Sequence, residues 1–172
     1  MSGKTMSTND HKISRTGRTL QICSFRLADR LFGVNILDVK EVNSEIEITP
    51  IYHAQSSVRG YMNIRGQIHL VIDLRTEFGF PRGVITPESK VIIFKQSVDE
   101  PFGVLVDSIG DVVEVTETEI TDRRGQTNES DTAVEVRRAR SELCEGVCPL
   151  KQELMLLLNA RGILQYKRTN AE

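Results

Sequence analysis

Cys144 and Cys148 stand four residues apart, a spacing at which two thiolates can share a metal ion. A structural zinc site takes four ligands, and no further Cys or His lies near enough in the sequence to complete the set. With Cys23 they read as reduced, buried or idle thiols, and no metal is expected. His53 and His69 are isolated. His69 falls on a strand, opposite the face of Ile68 and Leu70, and reads as a surface histidine. Asp73 and Asp107 each follow an apolar strand, as catalytic carboxylates often do, yet each suits the cap or turn that its neighbours imply, and capping is the preferred reading. There is no phosphate loop ending in Lys-Ser/Thr, no dinucleotide glycine fingerprint, no nucleophile elbow and no His-Glu-x-x-His pair. Neither a catalytic residue nor a cofactor is expected.

Arg65 is a different kind of candidate. It sits between Ile64 and Gly66 at the tip of a turn whose Asn63 and Gly66 tolerate positive φ, flanked by strands that fix its backbone. Two readings stay level on spacing alone: a solvated turn arginine, or an anchor for a partner's carboxylates and carbonyls.

The elements that carry these residues are short strands. Cys23, Phe25 and Leu27 alternate with Ser24 and Arg26, and after the polar break Ala28-Asp29-Arg30 come Phe32, Val34 and Ile36, which makes a hairpin. Ile36, Val39 and Val42 recur at intervals of three and predict a short helix with Asp38, Lys40 and Glu41 facing water. Ile68, Leu70, Ile72 and Leu74 alternate. Asp73 is placed to cap a one- or two-turn helix from Leu74 to Phe78, with Gly79 at its exit and Pro81 blocking continuation. Strands follow at 91–94, 102–106 and 112–115, and the apolar run Leu154–Leu158 reads as a buried closing strand, followed by Ala160 to Leu164 and a charged tail. Many short strands at close spacing, few helices and no βαβ rhythm indicate an all-β chain built as barrels or a sandwich.

Residues 1–18 are polar, carry Lys4, Lys12, Arg15 and Arg18, and read as a disordered leader ahead of one domain at 19–166 and a tail at 167–172. Within the domain, 121–141 reads as a long exposed loop, although Val134, Val136, Ala139 and Leu143 form a helix-like face. The 22 Lys and Arg against 24 Asp and Glu leave a formal net charge of −2, so no overall basic field favours nucleic acid or anionic lipid. No run of about 18 apolar residues spans a bilayer and no signal-peptide core opens the chain, so a cytosolic location without membrane insertion is expected.

Phe25-Arg26-Leu27 and the stretch from Phe32 to Val42 resemble the opening of CheW-like domains. Val58 to Ile68, reading VRGYMNIRGQI, with Ile72-Asp73-Leu74-Arg75 and Phe78-Gly79, is similar to the hallmark of that family: Gly, an apolar pair, Asn-Leu-Arg-Gly, an apolar strand and Asp-Leu-Arg. Phe102 to Asp107, Val112 to Val115, and Leu154 to Asn159 with Gly162-Ile163-Leu164 fall where its second half would place them. The likeness covers about residues 20–165.

The resemblance implies two intertwined, five-stranded Src-homology-3-like β-barrel subdomains. It also implies a non-catalytic role, coupling the cytoplasmic signalling tips of methyl-accepting chemoreceptors to the regulatory domain of a CheA-type histidine kinase in a membrane-associated array. Carried over by position, Arg65 and Val39, the latter in the short helix, match receptor-binding places, with the turn residues Asn63 and Gly66 beside them, and Glu41 is similar to a position of kinase contact. Receptor and kinase surfaces are expected to be separable patches. Three features depart from the pattern: the proline of the loop before the hallmark comes early, at Pro50; the loop at 121–141 is longer; and Leu157-Leu158-Asn159 replaces the usual Leu-Asp-Leu. These keep a non-chemotaxis relative in view. A small-barrel binder of single-stranded nucleic acid is a second alternative, weakened by three Tyr, six Phe and no Trp.

Overall fold

The computed structural model describes residues 17–121 and 142–169. The start of the leader, the loop at 122–141 with Val134, Val136 and Ala139, and the last three residues lie outside the described part. β1 (Thr19–Leu27) and β2 (Arg30–Asn35) form the expected hairpin, joined at Ala28 and Asp29, both at positive φ (45° and 62°). A 3-10 turn (Ile36–Asp38) leads directly into β3 (Val39–Asn43). β4 (Val58–Ile64), β5 (Gln67–Ile72), β6 (Lys90–Phe94), β7 (Phe102–Val106) and β8 (Ser108–Thr116) follow. A second 3-10 turn (Glu117–Glu119), β9 (Cys144–Pro149), β10 (Leu154–Leu158) and helix α1 (Ala160–Thr169) complete the described chain.

The strands make two five-stranded sheets, in the orders β8-β1-β2-β10-β9 and β3-β6-β7-β5-β4. The second sheet is one continuous stretch of chain, while the first is assembled from the segments on either side of it, so the two are intertwined. All pairings are antiparallel except β10 with β2 and β7 with β5. Each sheet curls until its margins touch. Thr121, past β8, exchanges two backbone hydrogen bonds of 2.9 Å with Val147 on β9, and Thr49, past β3, exchanges two of 2.8 Å with Tyr61 on β4. The ladders stay open apart from these single bridges, a Src-homology-3-like form of partial closure.

Central strands are buried on both faces, which explains why they read as continuous apolar runs. On β6, Val91 and Ile93 enter the second sheet's own core with Met62, Ile64, Val71 and Leu105, while Ile92 and Phe94 enter a seam between the sheets. On β10, Met155 and Leu157 join Ile22, Leu31, Val115 and Cys148 in the first sheet's core. The seam is the largest cluster, holding Phe25, Phe32, Phe78, Phe94 and Phe102. Phe25, Phe32 and Phe102 are at most 1% exposed, and burying each ring is worth about 1.5–3 kcal/mol.

Several elements differ from the sequence expectation. The helix expected through Ile36, Val39 and Val42 survives only as the 3-10 turn, so Val39 and Val42 lie on β3. Both are β-branched and stiff in extended backbone, and both gain a ladder partner on β6 (Phe94 and Ile92). The segment Leu74 to Phe78 closes as a single hydrogen-bonded turn in which the Phe78 amide donates to the carbonyls of Leu74 and Arg75 at 3.2 Å each, and Gly79 exits at φ 78°. The faces of β5 are reversed at its start: His69 is 2% exposed and Ile68 is 53% exposed. Alternation fixes only that neighbours point to opposite sides, and the neighbouring strands decide which side is core. β9 was not expected, because Gly146 and Pro149 interrupt its pattern. Ala160 to Leu164 is the first half of α1, whose period is masked by Gly162, and α1 carries Lys167 and Arg168 past the expected start of the tail. Leu143 is helical and fully buried.

Two glycines give a quantitative check. Gly60 has φ 143°, and a Cβ there would stand 2.1 Å from the Thr49 carbonyl oxygen, in the bridge that closes the second sheet. Gly66 has φ 82° but open space around it. Gly60→Ala is expected to cost more than about 3 kcal/mol and Gly66→Ala about 1 kcal/mol, measured by urea unfolding. Equal costs would mean that the Thr49–Tyr61 closure is not present in solution.

Candidate functional site

The β4–β5 hairpin presents Arg65. Its register (Tyr61↔Leu70, Asn63↔Ile68, Ile64↔Gln67) leaves a two-residue turn in which Arg65 has φ 52° and Gly66 φ 82°, the geometry of a primed hairpin turn. The Asn63 Oδ1 accepts the Gly66 amide at 2.9 Å, locking the turn. The Arg65 side chain, 79% exposed, donates from Nη1 to Glu41 Oε2 at 2.7 Å. Glu41 reaches this position because β3 carries an irregularity: Val39 pairs with Phe94 and Glu41 with Ile93, which puts two steps of β3 against one of β6. The residues expected on two separate partner patches, Arg65 and Glu41, are therefore one ion pair.

Val39, Asn63 and Gly66 complete the set. Val39 is half-buried and packs against the seam, as does Leu70 on β5. Exposed apolar side chains lie on the same strands: Val42 on β3, Tyr61 on β4 and Ile68 on β5. Tyr61, Asn63, Ile68 and Leu70 share one face of the hairpin by register. Ile68 is thus an outward apolar residue beside the Arg65 turn, although a surface His69 on the opposite face predicts Ile68 in the core. Its signal was the buriable His69 next to it, whose Nδ1 finds the Gln67 carbonyl at 3.0 Å.

A second charged group lies deeper. Asp73 Oδ2 accepts from Arg59 Nε at 3.0 Å and lies 2.8 Å from Arg59 Nη2 as an ion pair, and its Oδ1 accepts the Arg75 amide at 3.0 Å. Arg59 also donates to the Gly83 carbonyl. Asp107 Oδ2 accepts the Ala28 amide at 2.7 Å and Arg75 Nη1 at 2.5 Å. Both aspartates thus serve turn geometry, as their sequence context implies, and both add an arginine that spacing did not show.

His53 is exposed at positive φ, and among the described residues no hydrogen bond or ion pair joins it to the Asp73 and Asp107 groups. Cys23, Cys144 and Cys148 are buried thiols outside any disulfide, and Cys144 lies in the seam while Cys148 lies in the first sheet's core. Among the described residues no group of three or more His, Cys, Asp or Glu is placed to hold a metal ion, and no helix is long and apolar enough to cross a membrane. The exposed aromatics there are Tyr52 and Tyr61.

A sequence model described as the CheW-like domain matches residues 21–168, both sheets and nearly all of α1. The chain belongs to the CheW-like domain family. The chemotaxis protein CheW of Rhizobium meliloti is 32% identical over 100 residues, 58% of this chain and 64% of that protein. The chemotaxis protein CheW of Klebsiella aerogenes is 32% identical over 96 residues, 56% of this chain and 57% of that protein. The chain thus spans roughly three fifths of the length of these CheW relatives. The crystal structure of the scaffolding protein TtCheW from Thermoanaerobacter tengcongensis superposes with a TM-score of 0.69 at 26% identity, covering 83% of this chain and 90% of that one. The CheW-like resemblance read from VRGYMNIRGQI and the flanking strands is therefore correct.

The thiols supply a test. Burial pushes the Cys23 thiol up, and burial, with the Glu119 charge as the smaller cause, pushes Cys148 up. A raised thiol holds its proton more tightly in the folded state, so its contribution to stability is complete below the ordinary thiol range and is lost as pH rises through the shifted value. A thiol reagent at pH 7.5 is expected to leave both unmodified in the folded protein while reacting fully in denaturant, and urea midpoints are expected to fall at alkaline pH. Fast labelling of the folded protein would contradict this burial.

Proposed function

We propose that the chain is a non-catalytic chemotaxis adaptor that couples methyl-accepting chemoreceptors to a CheA-type histidine kinase. The observation that carries the reading is the CheW-like match over residues 21–168, which takes in both sheets. The relatives named chemotaxis protein CheW and the neighbour named a scaffolding protein support it. The proposed partners are the cytoplasmic signalling tips of the receptors and the regulatory domain of the kinase, with the chain in the cytoplasm, recruited to membrane-associated arrays. Nucleic acid is not a proposed partner, since the formal net charge is −2.

Within this reading Arg65, Val39, Asn63 and Gly66 form the receptor-binding set and Glu41 the kinase-binding position. Arg65 supplies a planar cation for carboxylates or carbonyls, Asn63 and Gly66 hold it outward, and Val39 and the exposed Ile68 offer apolar contact. On this reading the two proposed contact positions, Arg65 and Glu41, are ion-paired with each other, so a partner that takes Arg65 releases Glu41. A pair whose arginine lies in water contributes only about 1 kcal/mol to stability, which leaves it free to be exchanged for contacts with a partner.

Arg65→Ala is expected to lower affinity for a soluble receptor-tip fragment at least tenfold, about 1.4 kcal/mol, with a melting temperature within a few degrees of the parent. Unchanged affinity would remove Arg65 from the interface. Glu41→Gln keeps the side-chain length but removes the charge, and it is expected to weaken binding of the isolated kinase regulatory domain more than binding of the receptor tip. Equal loss of both partners, measured by calorimetry, would mean one shared surface.

A further inference from the structure

The chain crosses between its two sheets at two short links. The first is the 3-10 turn Ile36–Asp38 between β2 and β3, and the second is the single residue Asp107 between β7 and β8. Each link carries an aspartate facing an arginine, but the two pairs differ in kind. Asp38 is 4.0 Å from Arg161, whose side chain is 64% exposed. Asp107 is held at 2.5 Å by Arg75, whose side chain is 17% exposed. Asp107 is itself 35% exposed, against 24% for Asp38, so the second contact is the stronger because it is a short charge-assisted bond to a largely buried arginine.

Around Asp107 the two sheets converge on one oxygen. Its Oδ2 accepts the amide of Ala28, from the β1–β2 turn of the first sheet, and Arg75 Nη1, from the turn after β5 of the second. Its own amide donates to the Arg26 carbonyl at 2.9 Å. Arg75 is fixed in turn: its Nε donates to the Pro81 carbonyl at 2.7 Å, its amide is held by Asp73, and a Cβ on Gly83 would stand 2.9 Å from its Nη1. The same turn sends Leu74 and Phe78 into the seam, and its Glu77 accepts from Lys167 Nζ at 2.5 Å and Tyr166 Oη at 3.2 Å on α1, the helix that follows β10 of the first sheet.

We propose that Arg75 and Asp107 form a polar lock that fixes the angle between the two sheets. Through that angle they set the shape of the seam on which Val39, of the proposed receptor face, is packed. Arg75 is too shielded to be a contact itself, and it acts as a positioning residue by keeping the face preorganised for binding. This inference rests on the adaptor reading for its functional consequence and on geometry alone for the lock.

The test combines a distance with an affinity. Nitroxides at Val112→Cys on β8 and Tyr61→Cys on β4, both exposed positions on different sheets, report the inter-sheet distance by pulsed electron resonance, the native thiols being buried. The parent is expected to show one narrow distance. Arg75→Gln is expected to broaden it, with Arg75→Lys restoring most of the narrowness because it keeps the cation. Without labels, Arg75→Gln is expected to bind the receptor-tip fragment three- to tenfold more weakly at temperatures well below its melt. Asp107→Asn keeps an oxygen for the Ala28 amide and is expected to behave the same way, and it decides the matter if Arg75→Gln does not fold. An unchanged distance distribution in the folded variants overturns the lock, and a broadened one with parental affinity overturns the positioning role. If the parent itself binds no receptor tip, the adaptor reading fails while the distances still decide the lock.

Discussion

Everything in this fold depends on the seam. Neither sheet can bury both of its faces alone, and the phenylalanine-rich cluster between them gives each a second covered side. The cost of that arrangement is visible along β7, where Phe102 to Val106 are all buried and no residue is left for solvent. Strands covered on both sides carry no polar alternation, and their apolar content is what makes two small five-stranded units one cooperative body.

The charges sort by depth, and depth decides their roles. The Arg65–Glu41 pair is open to water on its arginine side, 79% exposed against 21% for the glutamate, and the structure loses little when it opens. The Asp73 side chain is 1% exposed, so removing Arg59 would leave a buried carboxylate without its cation, at about 3–5 kcal/mol. One pair is available to a partner and the other is committed to the fold. The two arginines 59 and 75 also grip the Pro81 and Gly83 carbonyls, which turns a loop without regular structure into a fixed part of the second sheet.

The bulge on β3 links these levels. A regular strand would carry Glu41 on to the next residue of β6, whereas the extra step lets it meet Arg65 across the barrel-like closure. The hairpin turn does its part through Asn63, and the closure through Thr49 and Tyr61. A surface ion pair 24 residues apart in sequence thus rests on three backbone features, none of which involves a charge.

The sequence by itself determined the strand-rich class, the β1–β2 and β4–β5 hairpins, the exposed Arg65 and the left-handed Gly79, because these are set by neighbours within a few residues: alternation, Asn-x-x-Gly chemistry and positive φ. The family resemblance was legible for the same reason, since its hallmark is a local turn motif. Tertiary structure alone decided which face of β5 is core, that Val39 sits on a strand rather than a helix, that Gly162 lies inside α1, and that Glu41 is the partner of Arg65. Each of these depends on what a distant segment supplies: a ladder, a cluster, or an opposite charge. Period and propensity carry no information about which of two faces will meet that segment, so only the assembled sheets settle it.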